Sequence, residues 1–115
     1  MGAGFSFQGA TGQHYDYVSV NLDNLKAVPW QAGNFVFARS TSSEPIPVYI
    51  GEADSIYGAI INQTLWNTAR LDHSANTIYV HPRKDTLARQ AEQADLVKRY
   101  HPPMNAKGSA AEDRR

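Results

Sequence analysis

The sequence predicts a small α/β fold of the α+β kind: a mostly antiparallel central sheet, an N-terminal hairpin and about three flanking helices. Three observations carry that prediction. Short apolar–polar alternations broken by Gly and Ser clusters fill the N-terminal part. Two later segments space their apolar residues as helices do, and one more strand-like run, Thr77 to His81, lies between them.

In chain order, FSFQ-GATG-QHYDYVSV reads as a hairpin. Phe5 and Phe7 alternate on the way out, Gly9-Ala10-Thr11-Gly12 supplies the turn, and Tyr15 and Tyr17 alternate on the return. Asn21 to Pro29 is a connection. Gly33 to Ala38 is a strand bounded by the loop Ser40 to Pro45, and Val48-Tyr49-Ile50 is the next strand. Asp54 or Ser55 then caps a helix whose residues Ile56, Ile60, Ile61 and Leu65 recur at three- to five-residue spacing, with Trp66 near its end. Asn67 to Asn76 reads as a connecting stretch that holds Arg70 and His73. The strand over Thr77 to His81 stops at Pro82. Asp85 opens a long helix from Thr86 to about Arg99, with Leu87, Ala91, Ala94, Leu96, Val97 and Tyr100 on its buried side and Pro102-Pro103 ending it. The expected organisation is a hairpin and connection over 1–32 within the same domain, the main unit over 33–105 and a flexible tail over 106–115.

At 115 residues the chain has the size of one domain with a core of its own. It has no Cys, which excludes disulfides, Cys-rich zinc sites and thiol nucleophiles. No apolar run approaches a membrane span, and the N-terminus lacks the charged start and apolar core of a signal peptide, so a cytoplasmic protein without membrane contact is expected. A formal net charge of zero argues against a surface that grips many phosphates. Charge is uneven, however. Between Asn76 and Lys107, Arg83, Lys84, Arg89, Lys98, Arg99 and Lys107 outnumber Asp85, Glu92 and Asp95. Arg83, Lys84, Arg89 and Lys98 are therefore the candidate phosphate contacts. The four His residues lack tight metal-ligand spacing, and no Ser or Thr shows the His–acid pairing of a nucleophile.

One ordered set of motifs says more. Gly33-Asn34-Phe35 on one strand, Val48-Tyr49-Ile50-Gly51 on the next, then a helix, a strand and a last helix closing in Leu96-Val97-Lys98-Arg99-Tyr100-His101-Pro102-Pro103-Met104-Asn105 together resemble the GIY-YIG nuclease family. Ala88 to Glu92 is similar to the approach to that family's metal-binding helix position. The resemblance spans Gly33 to Asn105. It implies a domain that cuts DNA by in-line attack of water, using two Tyr, an Arg, a Glu that binds a divalent metal, and an Asn.

Carried over position by position, the resemblance retains Tyr49 and Asn105 and loses the rest. The first Tyr is Phe35, which has no hydroxyl to handle a proton. The Arg, about ten residues past the second Tyr, is Ala59, and no Lys or Arg occurs between Arg39 and Arg70. The metal-binding Glu is Gln93, whose neutral amide is a poor Mg2+ ligand. Loss of a transition-state Arg alone costs on the order of 10³- to 10⁵-fold in phosphoryl transfer. The pattern therefore predicts a catalytically degenerate domain acting as a binding module, for nucleic acid or nucleotide above all, with no metal by the family pattern. Two alternatives stand beside it. One is an active endonuclease using Mg2+ or Mn2+ in a rearranged site, with Tyr49, a relocated Glu52 or Glu92 as metal ligand, and Arg70 or Arg89. The other is a protein–protein interaction module that uses the hairpin edge.

Overall fold

The computed structural model describes residues 4–20, 28–61 and 64–105. The expected connection over Asn21 to Pro29 lies outside these residues up to position 27, and the expected tail over 106–115 lies outside them entirely. Among the described residues the elements run β1 (Gly4–Gln8), β2 (His14–Val20), β3 (Gly33–Arg39), β4 (Ile46–Ala53), α1 (Ile56–Ile61), α2 (Thr64–His73), β5 (Thr77–Pro82) and α3 (Thr86–Tyr100). The strands form one sheet in the order β1-β2-β5-β3-β4, with every pairing antiparallel.

β3 lies inside the sheet, paired to β4 through Phe35↔Gly51 and to β5 through Phe35↔Val80, and all but its last residue are buried. A strand covered on both faces reads as a continuous apolar run, and Phe35-Val36-Phe37-Ala38 does so. Phe35 and Phe37 pack with Ile78, Val80, Ile56, Ile60, Trp66 and Ala69 on the face that α1 and α2 cover. Val36 and Ala38 pack with Ile50, Tyr79, Phe7, Tyr17 and Leu96 on the α3 face. The hairpin β1–β2 extends the sheet through β2, where Val18 pairs with Val80. Phe7 and Tyr17 carry it into the second core, their rings edge-on at 5.4 Å.

Sequence expectations need correction in two regions, the first helical segment with the stretch after it, and α3. The helix expected to reach Trp66 is described as α1 and α2, with residues 62–63 outside the described residues. After Ile56 and Ile60, the buried residues are Trp66 and Ala69, and Leu65 is exposed. Trp66 and Ala69 do not continue the 3.6-residue repeat set by Ile56 and Ile60, so the buried stripe of α2 is out of phase with that of α1. Arg70 and His73, expected in a connecting stretch, lie in the last turn of α2, where cations complement the helix dipole. The second correction concerns α3. Its buried residues are Arg89, Glu92 and Leu96, whereas Leu87 is 76% exposed and Ala91 and Ala94 face solvent.

Among the described residues no helix is long and apolar enough to cross a membrane.

Candidate functional site

The paired strands β3 and β4 carry the motif residues, and packing explains both glycines. A Cβ on Gly33 would meet the His81 carbonyl and the Ile56 side chain, and one on Gly51 would run into the Phe35 ring. Phe35 is therefore a core ring lying over Gly51, 2% exposed. Tyr49 is half-buried, with Phe37 and Phe35 at ring-centroid distances of 5.9 and 6.0 Å. Ala59 packs against the same core from α1, and that helix has no basic residue in its last turn.

Gln93 and Asn105 meet at the backbone of Ile50. Asn105 Oδ1 accepts the Ile50 N–H at 2.7 Å, and its Nδ2 donates to the Ile50 carbonyl at 2.9 Å. Gln93 Nε2 donates to the same carbonyl at 3.0 Å. β4 is an edge strand, so the outward N–H and C=O of Ile50 have no strand partner. The Asn105 amide supplies that pairing as a further strand would, and the turn after α3, with Pro102 and Met104 buried, brings it there.

This donor set does not fit a divalent cation. Mg2+ needs oxygen lone pairs aimed at it, and here two amide nitrogens converge on the one carbonyl. Glu52, the carboxylate nearest in sequence on β4, is already ion-paired. Among the described residues no group of three or more His, Asp or Glu is placed to hold a metal ion.

Of the four basic residues singled out, Arg83, Lys84 and Lys98 are exposed. Arg89 is not, and its assignment as a solvent-facing phosphate contact is corrected: the side chain is 2% exposed. Its Nε donates to Glu52 at 3.0 Å and its Nη2 to Asp54 at 2.8 Å, while Nη1 donates to the Lys84 carbonyl at 2.8 Å. A buried guanidinium is tolerated only when its donors are matched, and these are. Arg89 thus ties the first turn of α3 to the end of β4. Glu52 and Arg89, both invoked for a rearranged catalytic site, neutralise each other. Arg70 is exposed on α2 and donates to Asn67 at 2.8 Å.

Glu92 sits on another side of α3. Its Oε2 accepts from the Tyr17 hydroxyl at 2.6 Å and from His81 Nδ1 at 2.8 Å. Arg83 Nε stands 4.0 Å from Oε1, which has no hydrogen-bond partner among the described residues. Burial pushes the Tyr17 phenol well above its ordinary value, and the Glu92 charge and hydrogen bond add to that. One turn on, Asp95 accepts from the Tyr15 hydroxyl at 2.8 Å and from the Thr11 hydroxyl and N–H at 2.8 and 2.9 Å. Burial, then the Asp95 hydrogen bond and charge, push the Tyr15 phenol up to about 12. Burial alone would raise the Asp95 carboxyl, but the hydrogen bonds from Thr11 and Tyr15 outweigh it and hold the group below its ordinary value.

Tyr17 and His81 were not among the site residues expected from sequence. The signal that could have found them is the i, i+3, i+7 spacing of Arg89, Glu92 and Leu96, which puts two charges on one apolar-type stripe. Such charges need partners across the helix interface.

No protein-family model and no curated protein matches the sequence. Solved structures do match. The N-terminal GIY-YIG endonuclease domain of UvrC from Thermotoga maritima, bound to its catalytic divalent cation magnesium, superposes with a TM-score of 0.56 at 19% identity, covering 70% of this chain and 90% of that one. Two point mutants of the same domain, bound to the cation, superpose with TM-scores of 0.56 and 0.55 at 19% and 20% identity, covering 70% of this chain and 89% of each of those. The chain accordingly has the GIY-YIG nuclease-like fold, with a hairpin extending its sheet beyond β5.

Proposed function

We propose that this chain is a catalytically degenerate GIY-YIG-like domain that works as a binding module for nucleic acid or nucleotide. The observation that supports it best is the closure of Gln93 and Asn105 on the Ile50 carbonyl, at the helix position where the family has its metal-binding Glu. Phe35 in the core and Ala59 on an uncharged helix remove the phenol and the guanidinium as well. Exposed Arg83, Lys84 and Lys98 offer phosphate contacts without metal chemistry.

The test pairs cleavage with binding. Plasmid, branched and single-stranded DNA incubated with Mg2+ or Mn2+ should stay intact. Binding of the same DNAs should weaken with salt, and Arg83→Ala or Lys84→Ala should each reduce the magnitude of the log–log salt slope by about 1. Cleavage that disappears in Tyr49→Phe or Glu92→Gln would overturn the proposal in favour of a rearranged nuclease. Absence of any salt-dependent binding would overturn it in favour of a protein-interaction role.

A further inference from the structure

Between the start of β2, the end of β5 and the N-terminal half of α3 lies a pocket of about 450 Å³. Its lining includes His14, Tyr15, His81, Arg83 and Glu92. The size suits a small-molecule site. Glu92 is its buried charge, 1% exposed, and the two donors that reach it, from Tyr17 and His81, both go to Oε2. Oε1 has no hydrogen-bond partner among the described residues. Arg83 Nε at 4.0 Å is too far to be one. A carboxylate is acceptor-only, and Oε1 is shut off from solvent in this structure, so an incoming N–H or O–H reaches it only once the Arg83 side chain beside it turns outward. Beside it Arg83, with 43% of its side chain exposed, presents a guanidinium to an anion.

We infer that this pocket binds a nucleotide through the amino-bearing edge of its base, with the exocyclic amine donating to Glu92 Oε1 and the phosphate held by Arg83. The inference rests on the binding-module reading and names its ligand chemistry. A ligand answering both groups must carry an N–H donor and an anion in one molecule, and a nucleotide does. Carboxylate side chains accept from the cytosine amine in this way. Uracil is the contrasting base: its one ring N–H is flanked by two carbonyls that would face the carboxylate. The walls are pre-set. Tyr15 is tied to Asp95, and behind the pocket the buried Tyr17 holds Glu92 in place, so neither phenol has to be recruited when the ligand enters.

The test is NMR-monitored titration of the full chain with CMP, UMP and inorganic phosphate, and with short single-stranded oligomers of cytidine and of uridine. CMP should shift the Glu92, His81 and Ala88 amides and bind about tenfold more tightly than UMP. Glu92→Gln should bring the two nucleotides to near-equal affinity, because an amide can donate as well as accept. Arg83→Ala, at an exposed position, should weaken both while keeping their ratio. CMP preference without oligomer binding would identify a free nucleotide as the ligand; preference in both arms would identify a base within a strand. Equal affinities for CMP and UMP, shifts elsewhere on the protein, or no mononucleotide binding would overturn the inference. If the oligomers still bound with a salt slope, the binding-module reading would stand without it; if they did not, both would fall.

Discussion

Gln93 and Glu92 are neighbours on α3, and the two regions they serve differ in how their polar groups are satisfied. On the β4 side, Gln93 and Asn105 bond to the Ile50 peptide, and those bonds join donors to acceptors within the protein. On the β2–β5 side, Glu92 collects two donors on one oxygen and leaves the other without a hydrogen-bond partner among the described residues. An amide carries donor and acceptor together and can close on a backbone by itself. A carboxylate only accepts, and must be supplied with donors from elsewhere. Gln93 thus closes on the backbone, while Glu92 one residue earlier keeps an oxygen that no donor among the described residues reaches.

Arg89 supports both regions, and removing it should have the largest effect. Arg89→Ala leaves Glu52 and two backbone carbonyls without their donor and frees the start of α3. The Asp54 arm adds little, since that side chain is 98% exposed and screened. The expected loss is about 3 kcal/mol, read from the urea midpoint. Next, Glu92→Gln weakens two charge-assisted hydrogen bonds and should cost about 2 kcal/mol. Asn105→Ala, on the closed side, removes two neutral bonds to Ile50 and should cost about 1 kcal/mol, with exchange of the Ile50 amide accelerated. An Asn105→Ala loss larger than that of Glu92→Gln would reverse the comparison.

The smallest effect is alkaline. The phenols of Tyr15 and Tyr17 have folded values raised above the ordinary one near 10, so their contribution is complete below roughly pH 10 and is lost as pH rises beyond it. Tyr17→Phe should flatten the fall in denaturation midpoint between roughly pH 10 and pH 12. An unchanged slope would mean that the phenol is not held neutral by its burial beside Glu92.

Much of this fold is written in local pattern. Phe5, Phe7, Tyr15 and Tyr17 alternate, and they pair as a hairpin; Gly33 to Ala38 reads as a buried strand, and it lies inside the sheet. The proposed correspondence of Phe35, Ala59 and Gln93 to the motif's Tyr, Arg and Glu rests on spacing in the same way. Two things were hidden. Which of Leu65 and Trp66 faces the core is decided only by tertiary packing. Arg89 reads as a phosphate contact and Glu92 as a relocated metal ligand because charged residues are rarely buried unless paired. Their partners Glu52, Tyr17 and His81 lie on other strands, distant in sequence, so their burial became evident only once the sheet was assembled.

The closed cleft is tested most directly by titrating the protein with Mn2+ and following paramagnetic broadening at the amides and side-chain NH2 groups around Ile50. Broadening confined to exposed carboxylates, with Ile50, Gln93 and Asn105 sharp at stoichiometric metal, is the expected result. Selective loss of the Gln93 and Asn105 NH2 signals at stoichiometric Mn2+ would contradict it, since a cation would then have displaced the amides from the Ile50 carbonyl.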